Sequence, residues 1–265
     1  MALIIFTDLD GTLLNQDDYD YRPVLPVLAK LKERQIPVIP VTSKTRLEVE
    51  VLRQQLQLTD PFIVENGSGI FISASSQRFG SVTGPLKCHR LGCTYTQARA
   101  GLQAIASELA VTLRGFGDLD PEALKQLTGL TIEEAKRAKA REFSEPFVTP
   151  DSVPSKQLEQ AAEQQGLRVL VGDRFSHLIA KDTGKGRAVC WLVQQYRSVN
   201  AQLVTVGLGN SPNDEEMLAA VDIAFIVPGR DGPHPELVQR GLPIAPAPGS
   251  QGWAAAVAQL AQRYW

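Results

Sequence analysis

Two aspartates at the end of an apolar run are the residues best placed to do chemistry in this sequence. Residues 3–6 read Leu-Ile-Ile-Phe, and Asp8 and Asp10 follow two positions apart, directly before Gly11. Side chains alternate along a strand, so both carboxylates leave the chain on the same side. One carboxylate could attack an electrophile and form a covalent intermediate, while the other transfers a proton. The ordinary alternative is a pair of turn residues after a strand.

The apolar run before the two aspartates is typical of a buried parallel strand, because it is hydrophobic on both faces. Further strands are predicted at 36–41, 61–64, 203–208 and 222–227. Segments with helical spacing separate most of them, which indicates βαβ units and a parallel sheet. Such sheets bind ligands beyond the carboxyl ends of their strands. We therefore predict a doubly wound parallel sheet with the two aspartates in its ligand-binding crevice.

Polar side chains also follow two other predicted strands. Thr42 and Ser43 come directly after the segment 36–41, where a hydroxyl could bind an anion. Thr42 could equally cap the helix that follows. Asn66 follows the segment 61–64 and could reach the same crevice, although turn chemistry alone explains an asparagine there about as well.

The second half of the chain supplies further polar residues at comparable positions. Lys185 has glycine on both sides at the start of a helical pattern, which allows another group to approach it closely. The ordinary alternative is a surface lysine beside a helix start. Asn210 and Asp214 follow the predicted strand at 203–208.

The run Asp8-Leu9-Asp10-Gly11-Thr12 resembles the signature of the haloacid dehalogenase superfamily of phosphohydrolases. The resemblance implies that Asp8 attacks phosphorus and that Asp10 serves first as general acid and then as general base. It also implies that a hydroxyl, from Thr42 or less directly Ser43, binds the phosphoryl group together with Lys185. A lysine near three phosphoryl oxygens stabilises the charge that builds up during transfer.

The same resemblance implies a Mg²⁺ cofactor held by Asp8, the Asp10 carbonyl, Asp214 and Asn210. Relatives usually carry an aspartate where this chain has Asn210. An amide oxygen can bind a hard cation but brings no negative charge. A protein of another class, a weakly catalytic sugar-phosphate-binding protein, is the alternative that Asn210 suggests.

Residues 81–181 mix helical and strand patterns and are numerous enough to form a separate α/β module. We predict a core domain from residues 1–80 and 182–265 with this module inserted, and the resemblance to the haloacid dehalogenase superfamily implies that the core is catalytic and that the module is a cap that selects the substrate. Helices are predicted near 96–109, 121–127, 132–140 and 154–165, and strands near 111–114, 142–148, 167–171 and 177–180.

Four segments resemble the mannosyl-3-phosphoglycerate phosphatase family: 43–45, 117–119, 138–142 and 172–177. The resemblance implies hydrolysis of mannosyl-3-phosphoglycerate to mannosylglycerate through a phosphoaspartyl intermediate. Such a substrate carries a carboxylate, which an arginine fork suits, so Arg141 and Arg174 are candidate ligands, with His177 a weaker one. Glucosyl-3-phosphoglycerate and sucrose phosphate remain alternative substrates.

Bulk properties argue against several kinds of partner. The formal net charge is −2 and no basic stripe stands out, which argues against nucleic acid. The sequence contains no apolar run long enough for a bilayer and no signal-peptide pattern, so we expect a cytoplasmic protein. The expected partner is a small sugar phosphate.

Cys88, Cys93 and Cys190 lack zinc-site spacing and are expected to be free thiols. The oligomeric state stays open.

Overall fold

The computed structural model describes residues 2–73, 86–149, 153–172 and 175–264. The strands in these ranges are β1 (Leu3–Thr7), β2 (Val38–Pro40), β3 (Phe62–Val64), β4 (Gly69–Ser73), β5 (Leu86–Arg90), β6 (Glu145–Phe147), β7 (Leu167–Val171), β8 (Ser176–Ala180), β9 (Val204–Gly209) and β10 (Ile223–Ile226). The α-helices are α1 (Leu25–Glu33), α2 (Arg46–Leu56), α3 (Tyr95–Glu108), α4 (Pro121–Thr128), α5 (Ile132–Lys139), α6 (Ser155–Gln164), α7 (Lys185–Arg197), α8 (Glu215–Ala219), α9 (Pro235–Val238) and α10 (Gly249–Tyr264).

The core sheet is parallel and runs in the order β10-β9-β1-β2. Every residue of β1 is buried, because alternate side chains enter apolar layers on its two faces. Leu3 and Ile5 belong to the same cluster as residues of α1, α2 and α10. Ile4 and Phe6 belong to a second cluster with residues of α7 and α8. Helices on both faces confirm the doubly wound architecture predicted from the sequence.

Pro40 lies inside β2, although proline cannot donate a bond to a sheet ladder. The neighbouring positions on the same side of the strand show why it is accepted. Val38 and Thr42 have their N–H groups on the same side of the strand as the nitrogen of Pro40. Val38 N donates to the Asp60 side chain, and Thr42 N donates to Ile63 O of β3, so main-chain bonding to β3 on this side begins only after the proline. The missing N–H of Pro40 therefore costs the sheet no ladder bond.

An antiparallel sheet in the order β3-β4-β5 continues from the core. The predicted hairpin between 61–64 and 70–72 is confirmed, since β3 and β4 pair antiparallel. β5 was not predicted from the sequence, because its residues Leu-Lys-Cys-His-Arg show no apolar alternation. β5 falls within the segment 81–181 predicted to be the cap, yet it pairs with β4.

The remaining segment forms an α/β unit with its own apolar cluster. Its antiparallel sheet runs β6-β8-β7, and Leu102, Phe147 and Leu178 belong to the buried cluster beside it. The four predicted helices correspond to α3, α4, α5 and α6. The strand predicted at 111–114 is wrong. Ala110 takes a left-handed conformation and Val111 N bonds back to Ala106 O, so the start of this segment closes α3, and its end at Arg114 O accepts Val148 N without belonging to a strand.

Cys88, Cys93 and Cys190 are free thiols, as predicted. No helix in the described ranges combines the length and apolarity needed to cross a membrane.

Candidate active site

Residues from distant parts of the sequence meet at the carboxyl end of β1. Asp8 directly follows β1, and its N–H donates to Leu208 O of β9 at 2.9 Å. Lys185 begins α7, and its Nζ lies 2.8 Å from Asp8 Oδ1 and 2.5 Å from Asp214 Oδ1. The tertiary structure thus joins Asp8, Lys185 and Asp214 in one ion-paired cluster.

The cluster is nearly inaccessible to solvent, which changes its proton affinities. The side chains of Lys185 and Asp214 are fully buried, and that of Asp8 is 9% exposed. Burial and the neighbouring Asp214 raise the pKa of Asp8 to about 7, against the lowering effect of Lys185. Burial alone would lower the pKa of Lys185, but the two carboxylates raise it above its ordinary value. Lys185 is therefore a permanent cation beside Asp8.

Asn210 brings a third polar group against Asp8. One terminal atom of its amide lies 3.2 Å from Asp8 Oδ2, 3.2 Å from Asp10 O and 3.1 Å from Thr12 Oγ1. As nitrogen, this atom would donate to those oxygens. As oxygen, it would form with Asp8 Oδ2 and Asp10 O a group of three oxygens of the kind that surrounds a hard cation. A Cβ at Gly11, which has φ +73°, would lie 2.4 Å from Asn210 Nδ2, so only glycine leaves room for the amide.

This donor set fits Mg²⁺, which prefers carboxylate and carbonyl oxygens. It contains a main-chain carbonyl and an amide, so it differs from a cluster of acidic side chains. Accordingly, the described part of the chain holds no group of three or more His, Cys, Asp or Glu side chains able to bind a metal.

Asp214 is fully buried and both of its carboxylate oxygens have partners. Oδ1 accepts a hydrogen bond from Lys185, and Oδ2 accepts the N–H groups of Asn210 and Ser211 at 2.9 and 3.1 Å. Asp214 therefore holds both the lysine and the loop that carries Asn210.

Thr42 and Ser43 occupy the end of β2, beside this cluster. Thr42 is buried, and its Oγ1 accepts the N–H of Lys44 at 3.2 Å. The cap of α2 is Thr45, whose Oγ1 accepts the N–H of Glu48. The alternative role of Thr42 as a helix cap is therefore wrong.

Lys44 is an addition that the sequence argument did not assign to the site. Its Nζ lies 2.9 Å from Asp10 Oδ2, and its ammonium stands over the Tyr19 ring at 5.4 Å. Burial by itself would lower the pKa of Lys44, but the carboxylates of Asp10 and Glu48 raise it by more. The pKa therefore lies above its ordinary value, and the lysine stays charged. Its place two residues after Thr42, in the polar run that ends β2, is the signal that could have identified it.

Asn66 lies between the ends of β3 and β4, close to the phosphate-binding candidates. Its N–H donates to Thr42 O at 2.9 Å, and its Oδ1 accepts Asn213 Nδ2 at 3.2 Å. Its Nδ2 is buried without a hydrogen-bond partner among the described residues. A buried donor without a partner is costly, which makes this N–H group available for a ligand.

Two of the three cap candidates also face this region. Arg141 Nη1 donates to Ser43 O at 2.6 Å. Burial, and then the charges of Arg141 and Lys185, lower the pKa of His177 to about 3, so this imidazole is neutral. His177 Nδ1 is buried and has no hydrogen-bond partner within the described ranges. Arg174 lies outside the described residues.

Phosphoryl transfer through a covalent intermediate requires a nucleophile, an acid–base group and fixed positive charge. The site offers two carboxyl groups, a buried ammonium and oxygens compatible with a cation. Two family models match the chain, one described as haloacid dehalogenase-like hydrolase over residues 5–80 and one as sucrose-6F-phosphate phosphohydrolase over residues 117–240. A relative from Persephonella marina, named glucosyl-3-phosphoglycerate/mannosyl-3-phosphoglycerate phosphatase, is 38% identical over 95% of this chain and 94% of its own length. The chain belongs to the haloacid dehalogenase-like phosphatases.

Further comparisons agree with this assignment. A relative from Methanococcoides burtonii with the same name is 40% identical over 98% of this chain and 97% of its own length. The solved sucrose-phosphatase from Synechocystis sp. PCC6803, in complex with sucrose and phosphate, superposes with a TM-score of 0.65 at 17% identity. That superposition covers 99% of this chain and 98% of the other and shows a shared fold. The family resemblance, the phosphatase activity and a sugar-phosphate substrate, all expected from the sequence, are confirmed.

Proposed function

We propose that this haloacid dehalogenase-like phosphatase hydrolyses glycosyl-3-phosphoglycerates by way of a phosphorylated Asp8. The observation that carries the catalytic part is the buried contact of Asp8 with Lys185, which places a fixed positive charge beside the nucleophile. The substrate part rests on the two relatives, whose name joins the glucosyl and the mannosyl compound.

The reaction follows from the positions of the acids. A carboxylate oxygen of Asp8 attacks phosphorus, and the bond from phosphorus to the leaving sugar-acid oxygen breaks as Asp10 donates a proton to that oxygen. Asp10 then takes a proton from water, whose oxygen attacks phosphorus and displaces Asp8, so phosphate leaves and both acids are restored. Lys44, paired with Asp10, holds that carboxyl group in place.

Binding of the phosphoryl group falls to residues around Asp8. Lys185 stabilises the negative charge of the transferring group, and the Thr42 hydroxyl and Ser43 offer hydrogen bonds at the end of β2. Asn66 contributes its buried N–H group.

We assign metal binding to Asp8, the Asp10 carbonyl and Asn210, and the support for this set is that one terminal atom of the Asn210 amide lies 3.2 Å from both Asp8 Oδ2 and Asp10 O. Bound Mg²⁺ would offset the repulsion between the Asp8 carboxylate and a phosphate dianion and would polarise the phosphoryl group. Asp214, included in the set proposed from the sequence, acts mainly by holding Lys185 and the loop of Asn210, since both of its oxygens are already engaged.

The substrate carboxylate is assigned to Arg141. Its guanidinium reaches from the cap segment to Ser43 O in the loop of residues 42–45 after β2, which we call the phosphate loop. His177 supplies a neutral imidazole, suited to a hydroxyl of the substrate. Arg174 is a further candidate on the strength of its position in the sequence.

Phosphate release from four substrates tests the proposal, measured with Mg²⁺ and with a chelator. The substrates are mannosyl-3-phosphoglycerate, glucosyl-3-phosphoglycerate, sucrose phosphate and 4-nitrophenyl phosphate. We expect metal-dependent release and the highest kcat/KM for a glycosyl-3-phosphoglycerate. A preference for sucrose phosphate, or equal rates with all four, would overturn the substrate assignment. Full activity with the chelator would overturn the role of the metal.

A further inference from the structure

Glu65 is a fully buried carboxylate with a set of donors that all come from one short segment of the chain. Its Oε1 accepts the N–H of Glu142 at 2.8 Å. Its Oε2 accepts the N–H of Phe143 at 3.1 Å and both the N–H and the hydroxyl of Ser144 at 2.7 Å. The residues that donate directly follow Arg141, so the carboxylate determines where the main chain beyond this arginine runs.

The backbone of Glu65 is tied to the phosphate loop on the other side. Glu65 N donates to Lys44 O at 3.0 Å, and Asn66 N donates to Thr42 O at 2.9 Å. Glu65 and Asn66 have φ values of +48° and +56°, in the left-handed region that side-chain-bearing residues seldom adopt. Two consecutive unfavourable conformations persist only when the surroundings enforce them, and such positions cluster at functional sites. The turn therefore links the loop of Thr42 to the cap segment.

Arg141 completes the connection. Its Nε donates to Ala138 O at 3.0 Å, and its Nη1 donates to Ser43 O at 2.6 Å. A guanidinium carries five N–H groups, and those on Nη2 take no part in these two bonds. The guanidinium is thus held in one orientation by main-chain carbonyls while a face with donors is left for an anion.

We propose that Glu65 is a positioning residue that fixes Arg141 above the phosphate loop and so couples recognition of the substrate carboxylate to phosphoryl binding. This inference rests on the proposed function, in which Arg141 binds that carboxylate. Glu65 itself does not contact the substrate. Its effect should therefore depend on whether the substrate carries a carboxylate and on whether Arg141 is present.

The test compares kcat and KM for the preferred glycosyl-3-phosphoglycerate and for 4-nitrophenyl phosphate, which lacks the carboxylate. The Glu65→Gln variant exchanges one acceptor oxygen for an NH₂ group that faces N–H donors. Losing a charge-assisted hydrogen bond changes an equilibrium by about tenfold or more. We therefore expect the substrate ratio, which is kcat/KM for the glycosyl-3-phosphoglycerate divided by kcat/KM for 4-nitrophenyl phosphate, to fall by about tenfold. The loss should appear mainly as a higher KM for the glycosyl-3-phosphoglycerate.

A matched control is available in the same segment. Glu142→Gln removes the same charge and breaks the ion pair of Glu142 with Arg46, which also joins this segment to α2. It leaves the Glu142 N–H to Glu65 intact, so the substrate ratio should stay at the wild-type value. An equal loss of the ratio in Glu142→Gln would overturn the proposal in favour of a general effect of charge or cap contact.

A double-variant comparison separates positioning from a purely structural role. In an Arg141→Met background, adding Glu65→Gln should leave the substrate ratio unchanged, because the group that Glu65 positions is gone. A further tenfold loss there would overturn the proposal. Ser144→Ala, which removes one donor and keeps the acceptor, serves if Glu65→Gln does not fold, and it should lower the ratio in the same direction by a smaller factor.

The two proposals fail in different ways. If the wild-type protein shows no preference for a glycosyl-3-phosphoglycerate over 4-nitrophenyl phosphate, the proposed function is wrong and this inference with it. If the preference is present but Glu65→Gln lowers the activity on both substrates equally, only the positioning role is overturned.

Discussion

Removing the charge of Lys185 is the most direct perturbation of the active site. Its Nζ is the partner of Asp8 at 2.8 Å and of Asp214 at 2.5 Å, and its side chain is fully buried. Lys185→Met keeps much of the volume but leaves two buried carboxylates without their cation. Breaking a buried ion pair by removing one partner costs about 3–5 kcal/mol, so we expect the free energy of unfolding to fall by that amount.

The assay is urea or thermal unfolding at neutral pH in the presence of EDTA, so that no metal ion replaces the lost charge. For a chain of this size, a loss of 1 kcal/mol corresponds to about 2–4 °C, which predicts a decrease of about 6–20 °C in Tm. Phosphate release should be lost in parallel, because the phosphoryl group loses its fixed positive charge.

Lys181→Met is the matched control. Lys181 lies four residues earlier and pairs with Glu163 at 3.4 Å, but both side chains are more than half exposed. Exposed pairs contribute about 0–1 kcal/mol, so this variant should unfold almost like the wild type. In the Lys185→Met background, adding Asp214→Asn should recover at least about 1 kcal/mol, because one uncompensated carboxylate disappears. A Lys185→Met protein as stable as Lys181→Met would refute this reasoning.

Three further variants test other parts of the site. Asp8→Asn should abolish phosphate release and trapping of a phosphorylated protein while the fold persists, and residual turnover through a covalent intermediate would exclude Asp8 as nucleophile. Asn210→Asp should lower the Mg²⁺ concentration for half-maximal activity and the Kd measured by calorimetry by about tenfold, since ligand charge tunes affinity; an unchanged Kd would place the metal elsewhere. His177 has a pKa of about 3 in the folded protein, lowered by burial and by Arg141 and Lys185, against an ordinary value of 6.5. Below pH 6.5 the unfolded chain binds the extra proton, so wild-type stability should fall relative to His177→Gln by about 2 kcal/mol from pH 8 to pH 5 in urea unfolding. A gap between the two proteins that stays constant over this range would mean that the pKa of His177 is not lowered in the folded protein.

The parallel core could be predicted from the sequence because its signals are local. The run at 3–6 is apolar at every position, which is typical of a strand covered on both faces, and β1 is buried throughout. The helices of the cap could likewise be located to within about two residues, because capping residues such as Thr94, Asp120 and Thr131 directly precede them. The segment 111–114 was mistaken for a strand because Val111 and Leu113 are apolar and alternate, whereas in the structure the segment first closes α3 and meets the β6 region only at its end, where Arg114 O accepts Val148 N and Gly115 bridges Phe147.

The motif residues of the site were also evident, since Asp8 and Asp10 lie at a fixed spacing after a strand and Lys185 stands between glycines. Because parallel sheets bind their ligands at the carboxyl ends of the strands, the sequence predicted that these residues lie at one edge of the sheet. The sequence left two roles open for Thr42, a helix cap and an anion ligand. The structure decided against the cap, because Thr45 makes that hydrogen bond.

Only the tertiary structure decided which residues far apart in the sequence contact each other. Lys44 and Asp10 form an ion pair across two loops, and the Glu65 carboxylate binds main-chain groups 77 to 79 residues further along the chain. Arg141 reaches the carbonyl of Ser43, 98 residues earlier. Hydrogen-bond partners of this kind depend on angles and distances set by the packing of whole elements, whereas periodicity and motif spacing report only which face of one element a residue occupies. The sequence by itself therefore determined the fold class and the candidate catalytic residues, and the packing of the segment around Arg141 against the loop of Thr42 determined how those residues are held.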